Sequence, residues 1–338
     1  MTPRWLTPAG LHTASSVLPV EGRLPSFDGA TGWIGSPALT PAELRGKVVL
    51  VDFWTYTCIN WLRQLPYLRA WAAKYGSQGL VVIGVHTPEF PFEHDGDNVR
   101  RSIKDFRIEY PVATDNDYAV WEAFDNYFWP ALYFADAEGR IRHHHFGEGE
   151  YRQSEMVIQQ LLTDAGAEPG RDLVSPELRG FEVGADWDSL RTPETYTGYD
   201  RTGRFASPGG LRPGARQLYG APDRLPLNEW ALAGDWTAGE RATTAEAAGG
   251  QVLYRFQARD VNVVMGTSAE GTPVRYQVRL DGQPPGPAHG FDVDAQGNGT
   301  VAEPRLYQLV RQPGPVAERT LEITFLDPGA QVYAFTFG

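Results

Sequence analysis

Residues 48–61 read VVLVDFWTYTCINW. The apolar, partly β-branched run over Lys47–Trp54 reads as a buried strand. From Ile59 the spacing changes: Leu62, Leu65, Leu68, Trp71 and Ala72 recur as on one face of a helix reaching Tyr75. Cys58 stands at the junction, and it is the one cysteine among 338 residues. No disulfide can therefore close within the chain, and any thiol chemistry uses a single sulfur.

A cysteine at the first turn of a helix meets free backbone N–H groups and the positive end of the helix dipole, which favour a thiolate. Cys58 is thus expected to be acidified and nucleophilic. Thr55 and Thr57 carry hydroxyls within reach of that sulfur or of an oxygen bound to it. Asp52, in the middle of the apolar strand, is expected to be buried, with a raised pKa, and able to relay protons. The bland alternative is a cysteine that serves as a small buried hydrophobe.

Further along, Leu80–His86 reads as a second buried strand and Asp97–Phe106 as a helix capped near Asp97 or Asn98. Tyr110–Ala113 reads as a short strand and Asp117–Phe124 as a short helix. Ala131–Ala135 and Ile141–Phe146 form an expected hairpin, and Tyr151–Leu162 a closing helix. Pro66 falls inside the first helix and is expected to kink it. The alternation defines an α/β domain over residues 20–165, preceded by an irregular arm over 1–19. Residues 166–190, with Gly166, Pro169, Gly170, Pro176 and Gly180, read as a linker. From 191 to 338, short β-rich runs alternate with turn clusters such as Asp281-Gly282 and Asp327-Pro328-Gly329, the rhythm of an antiparallel β-sandwich or jelly roll.

The net charge is −12. Without a basic stretch the chain does not read as a nucleic-acid binder. No apolar run reaches the roughly 18 residues of a membrane span, and the first 25 residues lack the apolar centre of a signal peptide. A soluble cytoplasmic protein is the default expectation; a processed fragment working outside the cytoplasm would read the same way.

VDFWTYTCINW resembles the active-site region of the thioredoxin superfamily, in which a strand leads to Cys-x-x-Cys. The resemblance makes Cys58 the nucleophile and puts Trp61 in the place of the resolving thiol. It matches Asp52 to the family's buried acid, Pro66 to the proline of the active-site helix, and Pro130, in Trp129-Pro130, to a cis-proline facing the cysteine. Over nearly the whole chain GVHTPEF, DNDYAVW, HHHFGEGEY, TPETYTGY and the ending RLYQLV…YAFTFG are similar to the soluble C-terminal region of the DipZ family. That implies a thioredoxin-like α/β domain, its mixed central sheet flanked by helices, followed by an all-β sandwich or jelly-roll domain resembling a carbohydrate-binding module. The family's membrane part and its second cysteine are missing here.

Three activities follow as expectations. Cys58 could exchange with disulfides as a monothiol, resolved by an external thiol or a protein disulfide partner. It could reduce peroxide through a sulfenic acid; Thr55-x-x-Cys58 fits that chemistry, Val51 departs from the usual proline, and Arg63 or Arg140 would have to reach the sulfur. Or the domain is a redox-inactive binding scaffold, with Trp61 and Trp129 forming an aromatic patch beside the thiol and Pro130 contacting substrate backbone. The bulk of Trp61 argues against an engineered mixed-disulfide trap, which would use a smaller residue.

No cofactor is implied, and no metal site is expected. His143, His144 and His145 lie on alternating faces of a strand. The spacing Asp292-x-Asp294-x-Gln296-Gly297 with Glu303 resembles a calcium loop without its flanking helices. In the second half Trp187, Tyr196, Tyr199, Tyr219, Trp230 and Trp236 offer a sugar-stacking platform or ordinary core, so carbohydrate or a protein is the candidate partner. Glu194 and Asp200 are carboxylates near aromatics that make no convincing catalytic pair.

Overall fold

The computed structural model describes residues 18–269 and 271–338. Of the arm expected over 1–19, only its last two residues lie within the described part; the carbonyls of Leu18 and Pro19 both accept hydrogen bonds from Arg142.

The first half contains β1 (Gly22–Arg23), β2 (Gly32–Ile34), α1 (Pro41–Leu44), β3 (Val48–Trp54), α2 (Ile59–Tyr75), β4 (Leu80–His86), α3 (Gly96–Asp105), β5 (Val112–Thr114), α4 (Ala119–Ala123), β6 (Ala131–Ala135), β7 (Arg140–Phe146) and α5 (Tyr151–Asp164). Its sheet runs β1-β7-β6-β3-β4-β5-β2. β3, β4 and β5 are parallel and the other neighbours antiparallel. Every residue of central β3 is buried, as its unbroken apolar pattern requires of a strand covered on both faces. Gly84 on β4 leaves room for Trp54, whose indole nitrogen would lie 2.8 Å from a Cβ at that position.

α2 has the expected bounds, running through Pro66 to Tyr75, while other boundaries differ from the expectation. The cap of α3 is Asp95, whose carboxylate accepts from the N–H groups of Asp97 and Asn98 and so starts the helix earlier than expected.

The second half is built of strands, with one 3-10 turn at Gly286–Ala288: β8 (Thr195–Tyr196), β9 (Arg216–Tyr219), β10 (Trp230–Ala238), β11 (Thr243–Ala245), β12 (Gln251–Gln257), β13 (Asp260–Thr267), β14 (Val274–Leu280), β15 (Asn298–Val301), β16 (Arg305–Arg311), β17 (Glu318–Phe325) and β18 (Ala330–Phe337). The strands form one antiparallel sheet that curls on itself, in the order β15-β14-β17-β12-β10-β11-β18-β13-β16, with β8 on β18 and β9 on β10. The corner lies in β10. Trp230–Ala233 pairs with β12, whereas Gly234–Thr237 pairs with β9 and Trp236–Ala238 with β11. Gly234 makes the turn at φ 90°, a conformation that suits glycine, with the backbone of Gly250 3.2 Å from where a Cβ would stand.

The two halves share a core. Val264, Leu306, Tyr333 and Ala334 of the β domain join the cluster that contains Trp54, Trp61, Leu65 and Phe90. Tyr333 meets the rings of Phe90 and Phe92 edge-on at 5.3 and 4.9 Å. Arg69–Glu182 and Arg101–Glu303 ion pairs tie α2 to the segment after α5, and α3 to the β domain.

Candidate functional site

Cys58 is the N-cap residue of α2. Its N–H donates to the Thr55 carbonyl at 3.2 Å and its carbonyl accepts from Leu62 at 3.0 Å, which fixes the sulfur at the C-terminal edge of the central strands. The Trp129–Pro130 peptide bond is cis, and the Trp129 carbonyl lies 3.8 Å from Sγ of Cys58. The Trp129 ring packs on Trp121 and donates to the Thr87 carbonyl, while Pro130 is buried and its own carbonyl accepts from Gly147.

The thiol differs from expectation. Burial pushes Cys58 up from its ordinary value, and the negative charges of Glu89 and Glu194 push the same way. The N–H groups of Trp61 and Asn60 at the helix start oppose this and are outweighed. The threonines do not hold the sulfur either. Thr57 donates to Glu93 at 2.6 Å, and the fully buried Thr55 hydroxyl also acts on Glu93 rather than on the sulfur. Glu93 accepts in addition from the N–H groups of Glu89 and Phe90, and burial pushes it up to about 7. Behind it His86 sits between Trp54 and Tyr56, with both ring nitrogens unpartnered and burial holding it neutral down to about 3.

Trp61 forms no recognition patch. Its position in α2 faces inward, and the ring is 0% exposed. It stacks on Trp54 at 4.3 Å and donates from Nε1 to Asp52 at 2.9 Å. Gln64 donates to the other carboxylate oxygen of Asp52 at 3.1 Å. Burial pushes Asp52 up to about 7, and the two hydrogen bonds pull against that shift. Asp52 is therefore a sealed acid, its two oxygens engaged by side chains of α2.

The sulfur faces another way, into a cavity of about 230 Å³ between the two halves. The floor is Thr57–Asn60 with Glu89 and Phe90; the far wall is Leu190, Thr192, Pro193 and Glu194 with Val264, Ala334, Thr336 and Phe337. Trp187, 62% exposed, stands on the solvent side. Glu194 reaches solvent, yet the protein around it and the charge of Glu89 push its carboxyl up to about 7. Tyr196 donates to Glu89 at 2.6 Å, and Arg201 pairs with Glu89 at 2.8 Å while lying 3.5 Å over the Tyr196 ring. The sequence places Glu89 in TPEF and Glu194 in TPETY, more than a hundred residues apart; only the packing of one half on the other brings both to Cys58.

The remaining candidates resolve into structure. Arg63 is locked in a buried ion pair with Glu148 at 2.7 Å, and Arg140 pairs with Asp136 and Glu138. Neither serves the sulfur. His144 pairs with Glu21. Asp292 accepts from Arg305 and the Gln308 N–H, and Asp294 from the N–H groups of Gln296 and Asn298, so both acids hold turns. Among the described residues no cluster has a metal-binding arrangement. Of the aromatics read as a sugar platform or ordinary core, Tyr219, Trp230 and Trp236 are core, the two indoles donating to Gly203 and Ala233 carbonyls. No helix among the described residues is long and apolar enough to cross a membrane.

This fold and junction define a thioredoxin-like protein. Residues 20–144 match the AhpC/TSA family model and residues 192–338 match the model described as the thioredoxin-like C-terminal domain. The chain joins these two domains, and it is similar to the protein DipZ of Mycobacterium tuberculosis and of Mycobacterium bovis. With each it is 37% identical over 321 residues, 94% of this chain and 43% of theirs. The chain thus spans less than half the length of these relatives. The thiol-disulfide oxidoreductase YkuV of Bacillus subtilis is 26% identical over 141 residues, 42% of this chain and 95% of YkuV. A thioredoxin-like protein solved in its oxidised form is 26% identical, with a TM-score of 0.40 over 43% of this chain and 97% of its own.

Proposed function

We propose that the chain is a single-thiol exchange protein acting through Cys58. The thiolate attacks one sulfur of a disulfide, forms a mixed disulfide with it and expels the other sulfur as a thiolate; an external thiol then attacks the mixed disulfide and returns Cys58. The observation that carries this reading is the sulfur's position, half-buried at the start of α2 on the wall of a cavity bounded on one side by exposed Trp187. The relationship to YkuV, a thiol-disulfide oxidoreductase, supports the same chemistry. Peroxide reduction is less well supported, because Arg63 and Arg140 are engaged elsewhere and the hydroxyl-bearing Thr55 of Thr55-x-x-Cys58 is fully buried. Trp129 and Pro130 border the sulfur on the thioredoxin side and would contact the incoming group. Asp52, closed in by Trp61 and Gln64, would exchange protons slowly. The resolving partner is a small external thiol or a protein thiol, and the β domain wall is the second face that a protein partner would meet.

A redox-inactive scaffold is the second reading, favoured by the upward push on the thiol. Intact-mass measurement after exposure to 2-hydroxyethyl disulfide, a small uncharged reagent, with Cys58→Ser as control, separates the two. A mixed-disulfide adduct on the wild type that dithiothreitol removes supports exchange. A thiol that stays unmodified until denaturant is added supports the scaffold.

A further inference from the structure

We propose that the cavity over Cys58 selects thiols and disulfides that carry a positive charge close to the sulfur, aminothiol disulfides being the chemical class. This deepens the exchange reading and rests on it. The geometry comes from both domains. Glu89 stands on the thioredoxin side and Glu194 on the β side of one cavity of about 230 Å³, with Cys58 between them on the floor. The cavity has room for a small organic group and little more.

The charges are unequal in their freedom. Glu89 is held by Arg201 and by the Tyr196 hydroxyl, and the Arg201 guanidinium is itself spread over the Tyr196 ring. Glu194 forms no ion pair among the described residues. The one cation that acts on Glu194 is the same Arg201, already paired with Glu89, so a single arginine serves two carboxylates; neither lysine nor arginine lines the cavity itself. Thr336, on the same wall, is buried with its hydroxyl unpartnered.

Electrostatics then acts twice on an incoming reagent. A cation is drawn to Glu194 in a concave site of lowered dielectric, and an anion is repelled by both carboxylates. The same two carboxylates help hold the Cys58 proton on, so a cation seated between them eases thiolate formation as it arrives. One partly screened charge interaction of this kind corresponds to about tenfold in rate.

The test uses the full chain and two methanethiosulfonates of similar size, one bearing a trimethylammonium group and one a sulfonate. In each the Cys58 thiolate attacks the sulfenyl sulfur, forms a mixed disulfide and releases methanesulfinate, its proton passing to buffer. Rates at low ionic strength, followed by intact mass, are divided by those of a free cysteine peptide. The expected result is a cation-over-anion preference about tenfold above the peptide's, falling towards the peptide's value in Glu194→Gln and reversing in Glu194→Lys. Added salt should shrink it in the wild type, which needs no variant to fold. A ratio equal to the peptide's, with both reagents reacting, overturns the selectivity and leaves exchange standing. No reaction with either reagent in the native protein overturns both.

Discussion

Asp52 and Glu194 are both carboxyls pushed up to about 7, yet they sit in opposite kinds of place. Asp52 lies inside the central strand, with its two oxygens met by Trp61 and Gln64 of α2. Glu194 hangs on the wall of a cavity that reaches solvent, near a second acid and a sulfur. A displaced acidity therefore does not by itself mark chemistry. The sealed acid belongs to the packing of α2 on β3, and the reachable one belongs to whatever enters the cavity.

That contrast can be broken most forcefully at Trp61. Trp61→Ala removes a fully buried ring and leaves the Asp52 carboxylate one donor short, so it should cost about 3–5 kcal/mol in urea unfolding. A loss below about 1 kcal/mol would show that the Trp61–Asp52 unit is not core.

Asp52→Asn should act next, through pH. The folded-state pKa of Asp52 lies above its ordinary 3.8, so its protonation favours the native state fully at low pH and that contribution is lost as pH rises through about 7. The asparagine variant has no such loss, and Gln64 has a free amide oxygen to receive its new N–H groups. Its stability relative to wild type should therefore improve between pH 5 and pH 8 by on the order of 2 kcal/mol. A pH-independent difference would refute the assignment.

The thiol supplies a kinetic version of the comparison. Because Cys58 is pushed upward, its alkylation by uncharged iodoacetamide should rise about tenfold per pH unit from 7 to 9 without levelling off. A plateau near pH 7 would mean an acidified thiolate after all. The smallest effect is expected from Glu194→Gln at pH 4, where the carboxyl is largely protonated with or without the fold, and should be less than about 0.5 kcal/mol; a loss comparable to that of Trp61→Ala would make Glu194 structural too.

The legible parts of this molecule are those written in local periodicity. The strand through Asp52, the helix from Ile59 to Tyr75 and the strand Leu80–His86 follow from unbroken or helically spaced apolar residues, and the structure shows each. The second half is read less fully. β10 continues past Gly234, where the alternation breaks because the strand changes partners, so its end was hidden behind a turn-like Gly-Asp pair. The site was half visible. Cys58 and Asp52 are marked by the junction, but the acidity of Cys58 is set first by burial and then by Glu89 and Glu194, and Glu194 with the far wall of the cavity reaches it only when the two halves dock. An inward-facing position in α2 explains Trp61, and that orientation follows from helix phase that was available in the sequence.

The packing of Tyr196 and Arg201 on Glu89 has one more consequence. These three side chains form a clasp from the β domain to the segment beside the sulfur, and Cys58 has walls from both halves. Loosening the clasp would admit water to the thiol and carry Glu194 away from it, both of which lower its proton affinity. Reactivity at one sulfur and adhesion between two domains are thus a single equilibrium read at two places, and the cysteine works as a strain gauge for the joint.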